Sequence, residues 1–110
     1  MATTSGTTPL DRALDVLSHS HRRRVLTGLA GADAGAGEAF TPAQLRAEGA
    51  DRERFRLELY HKHLPKLERA GYVDWDRQRG AVRRGPNYDE VAPLVELMTA
   101  HEAALPAEWP

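Results

Sequence analysis

Lys62, Lys66 and Arg69 stand four and three residues apart. On a helix that spacing lays three cations along one face. Arg77, Arg79, Arg83 and Arg84 follow shortly after them. The chemistry this set supports is electrostatic. Cationic side chains release the counterions condensed on a phosphate backbone, and that release dominates affinity for nucleic acid. His61, just ahead of Lys62, adds a ring able to hydrogen-bond a base edge.

Other chemistries have less support. There is no cysteine, which excludes disulfides, thiolate metal sites and a thiol nucleophile. The pairs His19/His21 and His61/His63 are each two residues apart. On a helix, side chains so spaced diverge by roughly 200°, so neither pair is expected to hold one ion. His101-Glu102 is a weak further pair at the far end of the chain. His63 is expected to pack at the base of its helix. No metal and no cofactor is assigned. The glycines between Gly31 and Gly37 lack the Lys-Ser/Thr of a phosphate-cradling loop, and no nucleophile–base or paired-carboxylate spacing is present. The chain does not read as an enzyme, and no catalytic residue is assigned.

Net charge is −1 over 110 residues, but its distribution is uneven. Residues 1–50 carry five Arg and five acids. Residues 51–85 carry ten Lys and Arg against six acids, a net of +4, and residues 86–110 carry five acids and no Lys or Arg. The positive excess therefore coincides with the cations named above. Arg supplies thirteen of the fifteen basic residues, which suits a GC-rich genome. No apolar run approaches the roughly 18 residues of a membrane span. The start has no basic or apolar region of a signal peptide, so the chain is expected to be cytoplasmic. One domain is the natural count at this length.

The elements that must position these residues follow from apolar periodicity. Residues 1–8 read as a disordered leader. Leu10, Ala13, Leu14 and Leu17 mark a first helix over 9–17, with Pro9 at its first position. A second helix spans 19–30, introduced by a capping serine and striped by Val25, Leu26 and Leu29. Arg22, Arg23 and Arg24 fan around it, so one of them should lay its stem along the core edge. Residues 31–39 read as a structureless loop. Thr41-Pro42 opens a short helix over 42–48, closed by Gly49.

Phe55, Leu59, Leu64 and Leu67 carry the next helix over 52–70, closed by Ala70-Gly71. Pro65 disturbs it, because proline costs about 3 kcal/mol inside an ideal helix. Either the helix runs through with a kink near His61, or it restarts there and places Pro65 in a first turn. Tyr72, Val73 and Trp75 begin a hairpin that turns at Arg77-Gln78-Arg79-Gly80 and returns through Ala81, Val82 and Arg83. Gly85-Pro86-Asn87 ends it. A last helix over 88–105 presents Val91, Leu94, Val95, Met98, His101 and Leu105 at near-heptad spacing. Residues 106–110 form a tail.

The order of four helices, a two-stranded wing and a helix, with these local motifs, resembles the ArsR-like winged helix-turn-helix transcription regulators. The resemblance rests on Leu17-Ser18 leading into Arg22-Arg23-Arg24-Val25-Leu26, and on His61-Lys62-His63-Leu64-Pro65-Lys66-Leu67 followed by Ala70-Gly71-Tyr72-Val73. The His-x-His-Leu-Pro-Lys-Leu form looks like a subgroup of small haloarchaeal winged-helix proteins. It covers roughly residues 10–98. Pro65 stands where the general pattern has lysine, and His61 where it has a serine that often faces DNA. The resemblance implies a mainly helical fold with a β-hairpin wing: a winged helix-turn-helix domain over 9–87 and a dimerisation helix over 88–105.

It further implies a transcription regulator that binds double-stranded DNA. His61, Lys62, Lys66, Arg69, Arg77, Arg79, Arg83 and Arg84 are the candidate contacts. A homodimer is expected through Leu10, Leu14, Val91, Leu94, Val95, Met98, His101 and Leu105, because two-fold dimers match palindromic half-sites. The alternative is a winged-helix module that binds another protein and not DNA. The near-neutral charge, Pro65 and two candidate exposed aromatics, Tyr72 and Trp75, favour it. Acidic residues Glu58, Glu68, Asp74 and Asp76 decide between the two readings, according to whether they interrupt the positive surface.

Overall fold

The computed structural model describes residues 8–31, 39–106 except 41–51, and 109–110. Helix α1 (Pro9–Val16) is capped by Thr8, whose Oγ1 accepts from the Asp11 N–H at 3.0 Å. Thr8 therefore belongs to the helix. The rest of the expected leader, the expected 42–48 helix, and 32–38 of the expected loop lie outside the described residues.

Helix α2 (Ser20–Gly31) follows after a short break. No serine caps it in the expected way. Ser18 Oγ turns back to the Asp15 carbonyl (2.6 Å), and His19 Nδ1 accepts from the His21 N–H (3.1 Å). Arg22 is the arginine laid along the core, only 8% exposed. Its Nε donates to the Val16 carbonyl (2.8 Å), and Arg23 Nη1 donates to the Leu17 carbonyl (2.8 Å). Two α2 side chains thus satisfy carbonyls that the end of α1 leaves orphaned.

The long helix expected over 52–70 is present with an internal change of winding. Helix α3 (Arg52–Glu58) passes into one π-helical stretch (Leu59–His63) and then into α4 (Leu64–Ala70). Leu64 N–H donates to the Leu59 carbonyl, five residues back. Pro65 follows at the second position of α4. Proline has no N–H and its ring crowds the preceding turn, so the helix widens locally to make room. Both readings of Pro65 hold in part, since the helix is continuous and Pro65 nonetheless occupies a first turn.

Gly71 ends α4 with φ 81°, and the Tyr72 N–H closes onto the Leu67 carbonyl at 3.0 Å. That left-handed turn is the one glycine accepts without strain. The chain then enters β2 (Val73–Asp76), turns, and returns as β3 (Ala81–Arg84). The register is antiparallel, with Val73 opposite Arg84 and Trp75 opposite Val82. In the turn Asp76 Oδ1 accepts from the N–H groups of Gln78 (3.1 Å) and Arg79 (3.2 Å), and Gly80 takes φ 67°.

Strand β1 (Ala39–Phe40) joins the other edge of β3, giving the order β1-β3-β2. It corrects the expectation that the loop reaching Ala39 has no structure. Two residues are too few to show an alternation, so only the pairing reveals the strand.

Helix α5 (Tyr88–Ala100) stops before the expected 105 and continues as one 3-10 turn (Glu102–Ala104). Val91 and Val95 are fully buried against the chain's own core, beside Val25, Leu26, Leu59, Leu64 and Val82. They are core residues and not seam residues, because a helix on so small a domain must spend its best apolar stripe on that domain. Met98 and Leu105 line a cavity of about 250 Å³ with Leu17, Arg23 and Trp109 of the same chain. Trp109 Nε1 donates to Thr99 Oγ1 (3.0 Å), which returns the tail onto α5.

Tyr72 is also corrected. It is fully buried and its hydroxyl donates to Glu90 Oε1 (2.7 Å). Arg12 forks the same carboxylate through Nε (2.9 Å) and Nη2 (2.8 Å), joining α1 to α5. That bidentate pairing holds the Glu90 carboxyl below its usual range, and burial pushes the Tyr72 phenol up to about 12. Among the described residues no helix is long and apolar enough to cross a membrane.

Candidate nucleic-acid interface

The winding from the π-helical stretch into α4 decides where the basic side chains point. His61 and Lys62 sit in the wide turn and are exposed, while Lys66 and Arg69 follow on α4. The opposite side sends His63, Leu64 and Leu67 into the core. His61, Lys62, Lys66 and Arg69 converge on one open groove of about 510 Å³, completed by Arg12 and Asp15 of α1. The sequence reading missed the α1 side of this groove. Its signal was the polar pair Arg12 and Asp15, three apart on the face opposite Leu10 and Leu14.

The groove is not uniformly positive. Lys66 Nζ lies 2.7 Å from Asp15 Oδ2, and this pairing holds the Asp15 carboxyl below its usual range. Lys62 and Arg69 have no acidic partner among the described residues.

The hairpin carries its arginines in different roles. Arg77 forks Glu68 through Nη2 (2.9 Å) and Nη1 (3.3 Å), and its guanidinium stacks 4.1 Å over the Trp75 ring. Arg79 is 81% exposed at the turn and its Nε lies 3.9 Å from Asp76 Oδ2, a contact too exposed to hold it. Arg83 is exposed on β3 with no acidic partner among the described residues. Arg84 faces inward. Its Nε (3.3 Å) and Nη2 (2.9 Å) both donate to the Leu29 carbonyl, and the guanidinium lies 4.9 Å over the Tyr88 ring. Arg84 is a fastener between β3 and α2, and it is not available to a ligand as the sequence reading had it.

Of the four acidic residues named above, Glu68 and Asp76 do meet hairpin arginines, Glu58 is paired elsewhere, with His21 and Arg54, and Asp74 is exposed with no basic partner among the described residues. Trp75 is half-buried, in contact with Arg77 and with the tilted ring of Tyr60 (centroids 5.5 Å apart), and has an unpartnered Nε1.

Behind the groove, the structure gathers histidines that sequence spacing kept apart. His19 and His21 come from the start of α2 and His63 from the π-helical stretch. Ring centroids are 4.2 Å apart for His19–His63, 5.1 Å for His21–His63 and 4.7 Å for His19–His21. Arg22 Nη1 lies 3.1 Å from His63 Nδ1. Burial lowers the pKa of all three rings, that of His63 to about 4, with the neighbouring rings and Arg22 adding to the effect. Residues two apart on one helix are expected to diverge, as for His19/His21 and His61/His63. The contact that matters is between helices, which no local spacing reports.

No curated protein and no solved structure matches the chain. One family does, over residues 14–83, from α1 through β3. That stretch is well over half of the 110 residues and includes His61, Lys62, Lys66, Arg69 and the hairpin up to Arg83, so the chain belongs to the family described as domain of unknown function (DUF7344).

Proposed function

We propose that this protein is a winged helix-turn-helix transcription regulator that binds duplex DNA. The carrying observation is the groove where His61, Lys62, Lys66 and Arg69 converge, on a helix followed immediately by a hairpin tipped with Arg79. A cationic helix face beside a cationic hairpin fits a groove flanked by phosphates. Lys62, Arg69, Arg79 and Arg83 are the side chains most available to phosphate, and Lys66 becomes available on release from Asp15. Arg77 contributes less, since Glu68 and Trp75 already hold it. A cytoplasmic location fits this role.

The dimer belongs to the same proposal, on a narrower surface. Leu10 and Leu14 are 57% and 45% exposed, four apart on one face of α1, and Leu97 of α5 is 56% exposed. We place the two-fold contact there, with Leu94 and His101 at its edge.

The second reading, a protein-binding module without DNA, is favoured by the pairs that neutralise Arg77 and Lys66. It loses Tyr72, which is buried.

Fluorescence anisotropy with duplex DNA over a salt series separates the two. Lys62→Ala combined with Arg69→Ala should weaken binding alike for all sequences and lower the salt slope by about two phosphate contacts. Absence of salt-dependent binding by the unaltered protein would leave the protein-binding reading standing.

A further inference from the structure

His21, Glu58 and His63 reach one point from three different segments: the start of α2, the end of α3 and the π-helical stretch. Each offers one donor atom, and these atoms all lie within 4.8 Å of one another. We infer that this cluster is a binding site for a first-row divalent metal ion, with Zn2+ as the natural occupant. Two imidazoles and one carboxylate form a donor set that zinc accepts, with a fourth position left over.

Two observations point to a ligand beyond mere proximity. His63 is only 3% exposed, and its Nε2 has no hydrogen-bond partner. His21 Nδ1 is buried and unpartnered as well. Buried polar atoms are ordinarily satisfied, and these two orphans lie on rings that meet edge-on, with centroids 5.1 Å apart. His21 Nε2 is already drawn to Glu58 Oε1 at 3.3 Å. The site also has an approach from solvent, because the side chains of Glu58 and His21 are 33% and 20% exposed.

His19 packs its ring beside both others but is not among the converging donors, so the fourth position is left to water.

Coordination has a structural consequence. Arg22 Nη1 can only donate, so His63 Nδ1 accepts and Nε2 carries the ring proton. A metal at Nε2 moves that proton to Nδ1, which then faces a donor. A metal at Nδ1 displaces the guanidinium directly. Either way the Arg22–His63 contact is given up, while Arg22 keeps its bonds to the Val16 and Asp15 carbonyls. The ion would fasten α2 to the turn that sets the direction of Lys62 and Lys66. The inference does not depend on DNA binding, since its test contains no DNA.

The test uses the full chain without an affinity tag. Co2+ titration should develop the visible d–d bands of a four- or five-coordinate ion, and Zn2+ should abolish them and raise the Tm. His21→Gln and Glu58→Gln should each weaken Zn2+ binding by about tenfold or more, whereas His61→Gln and His101→Gln should leave it unchanged. The Glu58 side chain is one-third exposed, so its variant should fold, which the metal-free Tm and circular dichroism check directly. Absence of Co2+ bands and of a Zn2+-dependent Tm in the unaltered protein overturns the site. So does undiminished binding in folded Glu58→Gln and His21→Gln proteins, which would place the ion on surface histidines.

Discussion

Lys66 Nζ lies 2.7 Å from Asp15 Oδ2, so the middle cation of the basic helix face is tied to the first helix. Both groups are substantially exposed, so the pair contributes little to stability. Its effect would fall on the proposed duplex ligand. A phosphate reaching Lys66 must compete with a carboxylate already in place, and it also meets that carboxylate's negative charge.

Asp15→Asn should therefore tighten duplex binding and steepen the salt dependence by about one phosphate contact. Lys66→Ala should cost less affinity than Lys62→Ala, because Lys62 has no pair to break. Anisotropy at two salt concentrations checks both. Equal losses for the two lysines would show that the Asp15 pair does not persist in solution.

The hairpin arginines should divide by role. Arg84→Ala removes two hydrogen bonds to the Leu29 carbonyl and the stacking over Tyr88, and should lower stability by about 1–2 kcal/mol. Arg83→Ala, next to it in sequence but exposed, should change stability by less than about 0.5 kcal/mol and weaken DNA binding. Urea denaturation beside anisotropy distinguishes them. The neighbours point to opposite faces because side chains alternate along a strand.

That contrast shows what the sequence could and could not convey. Periodicity located α1, α2, the helix around Pro65, the hairpin and the start of α5, because each buries a repeating apolar set such as Val25, Leu26 and Leu29. It could not tell Arg83 from Arg84 as ligand contacts, since that depends on which face of β3 meets α2. Nor could it bring His21 to His63, whose meeting depends on how two helices cross. The α5 stripe misled for a related reason. Val91 and Val95 repeat as a dimer seam would, and only the packing shows that the chain's own core takes them.

The dimer proposal moves accordingly. Leu10→Glu with Leu14→Glu places charge on an exposed face, so the fold should survive and light scattering should report a monomer. Met98→Glu should instead disturb the cavity shared with Leu17 and Trp109, lowering the Tm without by itself dissociating a dimer. A dimer that survives the α1 double variant places the contact elsewhere.

Tyr72 and Glu90 set a stability limit at high pH. The phenol is buried and donates to a carboxylate, so the folded chain holds its proton up to about 12, while the unfolded chain releases it near 10. Between those values the folded state binds more protons than the unfolded state, so stability falls as pH rises through the window. Below 10 this contribution is complete. Tyr72→Phe removes the titrating group and should flatten the loss between pH 10 and 12. Its own cost at pH 7 should be about 1 kcal/mol, the usual net worth of one hydrogen bond. Arg12 still neutralises Glu90 in that variant, so the carboxylate is not left alone. Urea midpoints at pH 8, 10 and 11.5, read by circular dichroism alongside tyrosinate absorbance, supply the comparison. An equally steep alkaline loss in Tyr72→Phe would assign the limit to Tyr88, whose phenol burial also raises.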